Sequence, residues 1–222
     1  MQVYNGVESL GGIEQEPNIY LVDGELLVDC GTGFLFTQLK DYIESHYESY
    51  KIKALVNTHC HFDNAGATKK VRDWLKAKIC MHVEDKGALE SGEGMLAEFF
   101  DERPKIVTID KPLKDGVKIR TSNFNFEVVH TPGHTPGSIC LYEKDRKILI
   151  SGDTIFDEKI GRTDLLGGDS RRMLMSLNRL LDYEVQYLLP GHGPPKIGGF
   201  SFHVKQMIQH FGQKRFINYD FY

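Results

Sequence analysis

Residues 58–66 read THCHFDNAG, which sets two imidazoles one residue apart at His59 and His61 and a carboxylate at Asp63. Three further donors stand where apolar runs end in a turn: His134 after FEVVHTPG, Asp153 after ILISG and His192 after QYLLPG. Gly133, Gly152 and Gly191 directly precede them, and a residue without a Cβ lets the chain turn sharply against a crowded centre. Imidazole together with carboxylate suits a borderline divalent ion, zinc first, with iron or manganese as alternatives. Three imidazoles with an open coordination position bring the pKa of a bound water to about 7, and a carboxylate shared by two ions holds them ~3.5–4 Å apart. On that chemistry His59, His61 and His134 form a first cradle, Asp153 is the bridge, and Asp63 and His192 belong to a second.

Such a centre needs several strand ends on one edge, because loops leaving a common edge can aim their side chains at one spot. The sequence supplies them. NIYLVDGELLVDCG is two apolar runs around the turn dipeptide Asp23-Gly24, a hairpin. FLFTQLKDYIESHY, GATKKVRDWLKA and SRRMLMSLNRLLD have helical spacing, the last opened by Asp169 or Ser170 as N-cap. KIKALVNT, AKICMHV, KIVTID, GVKIR, FNFEVVH, SICLYEKD, RKILISGD and VQYLLPGH read as strands, VQYLLPGH being the last clear one, and SFHVKQMIQHFGQ as one more short helix. Residues 91–104 break the pattern with a short helix inside GMLAEFFDER, and are either a flap near the site or a surface connection. Clusters of strands with helices between them favour two packed sheets with helices outside.

The 222 residues carry no repeat or linker and are read as one domain, 1–222. A net charge of −4 gives no footprint for nucleic acid or an anionic membrane. The absence of a long apolar run or an apolar leader, with four cysteines and no CxxC pair, points to a cytoplasmic protein with free thiols.

THCHFDNAG, HTPGHTPGS, SGDTIF and LPGHGP, in that order between residues 58 and 194, resemble the successive motifs of the metallo-β-lactamase superfamily. The resemblance implies an α+β fold, an αββα sandwich of two mixed β-sheets with helices on the outside and the site on one edge. It carries first-site ligands onto His59, His61 and His134, the bridge onto Asp153, and second-site ligands onto Asp63 and His192. Within the superfamily, GDTIF…IGRTDLLGGD followed by LPGHGP is most similar to the glyoxalase II-like hydrolases, which implies a small-molecule thioester as substrate. About 30 residues follow His192, fewer than the helical thiol-binding domain of glutathione-specific members needs, so no particular thiol is implied.

The chain departs from the family pattern at Asn64, where a second-site histidine is expected. A neutral amide is a weak ligand for zinc and better suited to harder ions. The expectation is therefore one tightly bound ion and a weakened second site, with Asn64 hydrogen-bonding Asp63 or a loop carbonyl. Hydrolysis remains within reach of one ion, with Asp63 orienting the water or accepting its proton. Weak stabilisation of the leaving group is tolerable for a thiolate and damaging for an amine. The alternative is a mononuclear iron persulfide dioxygenase, which THCH and GRTD also resemble, with His59, His134 and Asp153 as its facial set; a non-catalytic binding module ranks lower. Cys60 is expected to point into the core rather than at the metal. His46, His82, His130, His203 and His210 are assigned surface or supporting roles, and Arg162 with Asp164 a loop-fixing or buried ion pair. The C-terminal FINYDFY could wall a pocket, pack on the core or mediate self-association.

Overall fold

Both faces of the central strands are apolar, and the period-two alternation of a strand sends successive side chains to different cores. Leu26 and Val28 point one way and Leu27 the other; Leu55 and Val56, and Ile139 and Cys140, divide in the same manner. The structure, a computed structural model, describes residues 1–11, 16–157 and 159–217, with main chain alone over 212–217. Strands β1 (Gln2–Tyr4), β2 (Val7–Ser9), β3 (Tyr20–Val22), β4 (Leu26–Val28), β5 (Ala54–Val56), β6 (Lys78–His82) and β7 (Lys111–Leu113) form one sheet in chain order. Its pairs are antiparallel from β1 to β4 and parallel from β4 to β7.

A second sheet is ordered β13 (Lys196–Ile197), β12 (Tyr187–Pro190), β11 (Ile148–Gly152), β10 (Ile139–Glu143), β9 (Asn125–His130), β8 (Lys118–Arg120). Here β11 and β12 are parallel and the other pairs antiparallel. Between the sheets lies one core, with Val22, Leu26, Val28 and Val56 facing Phe126, Val128, Leu141 and Ile150. Helices α1 (Phe36–His46), α2 (Phe62–Ala65), α3 (Thr68–Leu75) and α4 (Lys86–Ser91) lie in the first half of the chain. On the outer face of the first sheet Leu39 and Ile43 of α1 and Val71 of α3 pack with Leu27, Leu55 and Ile79. Met173, Leu177 and Leu180 of α5 (Ser170–Leu180), and Phe200 and Val204 of α6 (Phe200–Ile217), cover the second sheet through Val129, Leu149 and Leu188. Each such aliphatic side chain, fully buried, contributes about 1.5–3 kcal/mol. This is the αββα sandwich of two mixed sheets.

Two expectations need correction. KIVTID is not a strand; the sheet gains its edge strand β7 from Lys111–Leu113 instead. The Asp110 carboxylate accepts Ile79 N (2.8 Å) and Arg72 Nη2 (2.5 Å) while Asp110 N donates to Ile79 O (3.0 Å), which ties the end of that run to β6 at a single residue. Pro112 is tolerated in β7 because an edge strand needs no donor on its outer side. VQYLLPGH is followed by the two-residue strand β13, and the last helix is 18 residues long rather than short. Residues 218–222 of FINYDFY, and the side chains of Phe216 and Ile217, lie outside the described residues.

Candidate metal centre

The loop after β5 carries the first cradle, and a buried aspartate sets its shape. Asp29 follows β4 in a left-handed conformation (φ +60°) and accepts Thr58 N (2.7 Å) and Thr58 Oγ1 (2.8 Å). Thr58 Oγ1 in turn lies 3.1 Å from His59 Nδ1. With the hydroxyl proton committed to Asp29, Nδ1 is the protonated ring nitrogen of His59, and Nε2 keeps its lone pair for the centre. His134 Nδ1 donates to Arg162 O at 2.8 Å, which frees its Nε2 in the same way. Hydrogen bonds of this kind fix tautomer and ring orientation in metal-binding histidines. His134 Nε2 lies 2.8 Å from His61 Nδ1, and the three rings are buried with centroids 4.4–5.0 Å apart. Burial, reinforced by the neighbouring imidazoles, holds His59 well below the ordinary histidine range. Burial and His134 bring His61 down to about 3 against the pull of Asp63. His59 and His61 are therefore neutral, the form that binds a cation.

A second cluster adjoins the first. His192 Nε2 lies 3.3 Å from Asp63 Oδ2 and 3.5 Å from Asp153 Oδ2, and Asp153 Oδ2 is also 3.7 Å from His134 Nε2. Asp153 thus stands between the two triads, the place assigned to a bridge. Burial opposes the charge on His192, yet its hydrogen bond to Asp63 and the Asp153 carboxylate raise it to about 9. Burial likewise opposes ionisation of Asp63, but His192 outweighs it and holds the carboxyl below the usual range. Asp153 is pushed up by burial, partly offset by His192 and His134. All three preceding glycines are sterically required: a Cβ on Gly133 would meet the Met173 backbone at 2.4 Å. A Cβ on Gly152, at φ +48°, would meet Thr58 Oγ1 at 2.5 Å, and one on Gly191 would meet Asp153 Oδ1 at 2.1 Å.

All six expected donors fall into these two groups, each with ligand atoms within 4.8 Å of one another. Asp153 Oδ1 and Asn64 Oδ1 are buried polar atoms without a partner among the described residues. Uncompensated burial of an acceptor is costly, so a cation beside these groups fits the donor set. Asn64 does not take the role expected of its side chain. Its backbone N–H reaches Asp63 Oδ1 (3.1 Å), while the side-chain Nδ2 faces His59 Nε2 at 3.5 Å.

Sequence reading missed Asp29 and Asp85. Asp85 is buried and accepts Cys60 N (2.9 Å), Thr135 Oγ1 (2.7 Å) and Gly137 N (2.6 Å), so one carboxylate ties the loop of His59 and His61 to that of His134. Burial pushes its pKa up, opposed by those bonds. An aspartate after an apolar run was the available signal, but its partners lie 25 to 52 residues away. Cys60 is buried in the core cluster, and the four cysteines are free. Arg162 and Asp164 form a two-pronged pair (3.0 and 2.8 Å) that is exposed, 64% and 68%, rather than buried. It braces the loop whose carbonyl orients His134.

A third group, His82, Glu84 and His130, also brings ligand atoms together. Its imidazoles are stacked at 3.9 Å and 20°, so their in-plane lone pairs do not converge. Arg172 already pairs with Glu84 at 3.0 Å and His130 Nε2 contacts Pro136 O at 2.9 Å. These are structural contacts. Above the first two groups opens a cavity of about 600 Å³ whose lining includes His61, Asp63, His134, Asp153 and His192. Among the described residues no helix is long and apolar enough to cross a membrane.

The profile of the metallo-beta-lactamase superfamily matches residues 13–192. A probable metallo-hydrolase of Bacillus subtilis is 36% identical over 166 residues, 67% of this chain and 77% of that protein. The hydroxyacylglutathione hydrolase GloC of Haemophilus influenzae is 32% identical over 151 residues, 64% of this chain and 69% of that protein. Among solved structures, the B3 metallo-beta-lactamase BLEG-1 superposes with a TM-score of 0.74 at 29% identity, covering 92% of this chain and 98% of that one. TTHA1623, solved in a di-iron-bound form, gives 0.72 at 29% identity over 89% and 97%. The chain belongs to the metallo-β-lactamase superfamily.

Proposed function

We propose that this chain is a metal-dependent hydrolase of thioesters, glyoxalase II-like in its metal centre, with one tightly held divalent ion, zinc first, and a weakened second position. The observation that carries the reading is the pairing of an all-histidine triad with an aspartate–aspartate–histidine triad, five of whose six donors line one cavity. His59, His61 and His134 would hold the first ion, Asp153 would stand between the positions, and Asp63 and His192 would serve the second. When bound, the ion lowers the pKa of water and polarises a carbonyl. The likeness to GloC supports a thioester as substrate.

Asp63 is kept ionised by His192 and lines the cavity. It orients the attacking water and takes its proton as the water oxygen bonds to the acyl carbon. The carbon–sulfur bond then breaks, leaving a carboxylate and a thiolate that needs no protonation to depart. That chemistry asks little of the second position, where Asn64 replaces an imidazole. An amine, which leaves poorly, asks more.

The test is release of thiol from a thioester by zinc-loaded protein, beside the amide of the same acyl group and an oxygen-uptake assay with a persulfide and the iron form. The proposal expects thioester cleavage, no amide cleavage, and a loss of at least ~100-fold in kcat for Asp63→Asn. Oxygen uptake without thioester cleavage would overturn it in favour of the dioxygenase.

A further inference from the structure

We infer that the cavity over the metal centre is an acyl pocket for thioesters of extended apolar acyl groups, not for the small hydroxyacyl groups that a polar site would favour. The inference rests on the thioester reading above and adds the substrate class to it. Its basis is what surrounds the ligands. Beyond the metal floor, the lining draws six apolar side chains from two segments: Leu96, Phe99 and Phe100 from one, Phe156, Ile160 and Leu165 from the other. Asp157 and the exposed Lys159 and Arg162 line the second segment's side as well, so the cavity of about 600 Å³ joins an apolar wall to a charged margin, a make-up that suits a ligand with an apolar body.

The segment bearing Phe99 is pinned by its neighbours, Met95, Ala97 and Phe100, which pack in the core under the first sheet. Residues Ala97–Phe100 form a single 3₁₀ turn bracketed by Leu96 (φ +59°) and Asp101 (φ +54°). Both are left-handed conformations in residues that carry a Cβ, and such strain persists only where the surroundings enforce it. They do: Met95, Leu96 and Ala97 are buried, Met95 O accepts Phe62 N at 2.7 Å, and the Phe62 and Phe100 rings lie 5.4 Å apart. Phe62 directly follows the ligand His61, so the turn is anchored to the metal loop. The outcome is a Phe99 that is 66% exposed beside the cavity. A lone exposed phenylalanine means nothing. One that continues an apolar wall down to the reacting carbon has an occupant, and the group attached to that carbon in a thioester is the acyl chain. Phe156, whose ring lies 6.1 Å from that of His192, extends the wall beside the second triad.

The experiment keeps one minimal thiol, N-acetylcysteamine, and varies the acyl group through acetyl, lactoyl, hexanoyl and octanoyl. Zinc-loaded wild type and Phe99→Ala are compared, and octanoate and acetate binding to both proteins is measured by calorimetry. Burial of each methylene is expected to raise kcat/KM about threefold, so burying three of the methylenes that octanoyl has beyond acetyl should raise it ~30-fold. Phe99→Ala should lower the octanoyl value about fivefold more than the acetyl value and weaken octanoate binding to a similar extent. Cleavage that is flat or falling with chain length, or fastest for lactoyl, would overturn the acyl pocket and leave the thioester reading standing. Octanoate binding that depends on Phe99, with no thioester cleaved, would do the reverse. Octanoate binding no tighter than acetate would count against the pocket whatever the assay of turnover shows.

Discussion

The side-chain nitrogen of Asn64 lies 3.5 Å from Nε2 of His59, while its oxygen, in a fully buried residue, meets no partner among the described residues. Once the His59 lone pair is committed to an ion, the amide gains nothing from that contact. An imidazole in its place would carry its Nε2 one bond further along. The second triad thus offers Asp63, Asp153 and His192 without a fourth, strong donor from the helix that follows the first. The asymmetry is built into one residue, and its neighbours are otherwise intact.

Asp85 is the strut between the two ligand loops. Asp85→Ala would leave Cys60 N, Thr135 Oγ1 and Gly137 N buried without their acceptor, at a cost of about 3 kcal/mol or more. Asp85→Asn, which keeps the shape and one acceptor oxygen, should cost clearly less. Urea unfolding of the metal-free proteins measures both, and equal stability of Asp85→Ala and wild type would remove the strut from the account.

Gly191→Ala tests the position of the bridge. The new Cβ would sit 2.1 Å from Asp153 Oδ1, so the carboxylate must move, and metal affinity should fall at least ~10-fold. Gly193→Ala is the control. Its φ of +80° is unfavourable to alanine, but a Cβ there meets nothing within 4 Å, so it should cost about 1 kcal/mol of stability and leave metal affinity unchanged. Competition with a chromogenic chelator reads the two apart; equal affinities would show that Asp153 is not a ligand.

His82 gives the protein an acid-sensitive element away from the metal centre. Its pKa is brought from 6.5 to about 4 by burial first, then by His130, with Arg172 acting in the same direction and Glu84 and Asp115 against it. An unfolded chain takes up the proton below about 6.5, whereas the folded one resists until about 4. Stability should therefore decline as pH falls from about 6.5 to about 4, and the loss is complete below that window. His82→Phe retains the stacking surface and removes the proton, so its stability should vary less across the same range. Parallel pH profiles for the two proteins would contradict this.

Much of this was legible in the sequence because the signals were local. His59, His61 and Asp63 sit in one loop, and glycines mark His134, Asp153 and His192 at strand ends. The hairpin around Asp23-Gly24 is formed by β3 and β4, and helix α5 starts at the N-cap Asp169, whose carboxylate accepts from Arg171 N and Arg172 N. What could not be read depends on partners distant in the chain. Asp29 and Asp85 look like any aspartate after an apolar run until Thr58, Cys60 and Gly137 arrive beside them. KIVTID has the composition of a strand, yet the edge position passed to the Pro-containing Lys111–Leu113 because the Asp110 side chain took the Ile79 N–H. The role of Arg162 was hidden for another reason: its backbone carbonyl, not its guanidinium, orients His134.

The most direct test of the account is metal stoichiometry by elemental analysis, on untagged protein prepared anaerobically, for wild type beside Asn64→His. Close to one tightly bound ion per wild-type chain is expected, rising towards two in the variant, because the added imidazole gives the second triad its fourth donor. Close to two tightly bound ions in the wild type would contradict it, since Asn64 would then leave the second position as strong as the first.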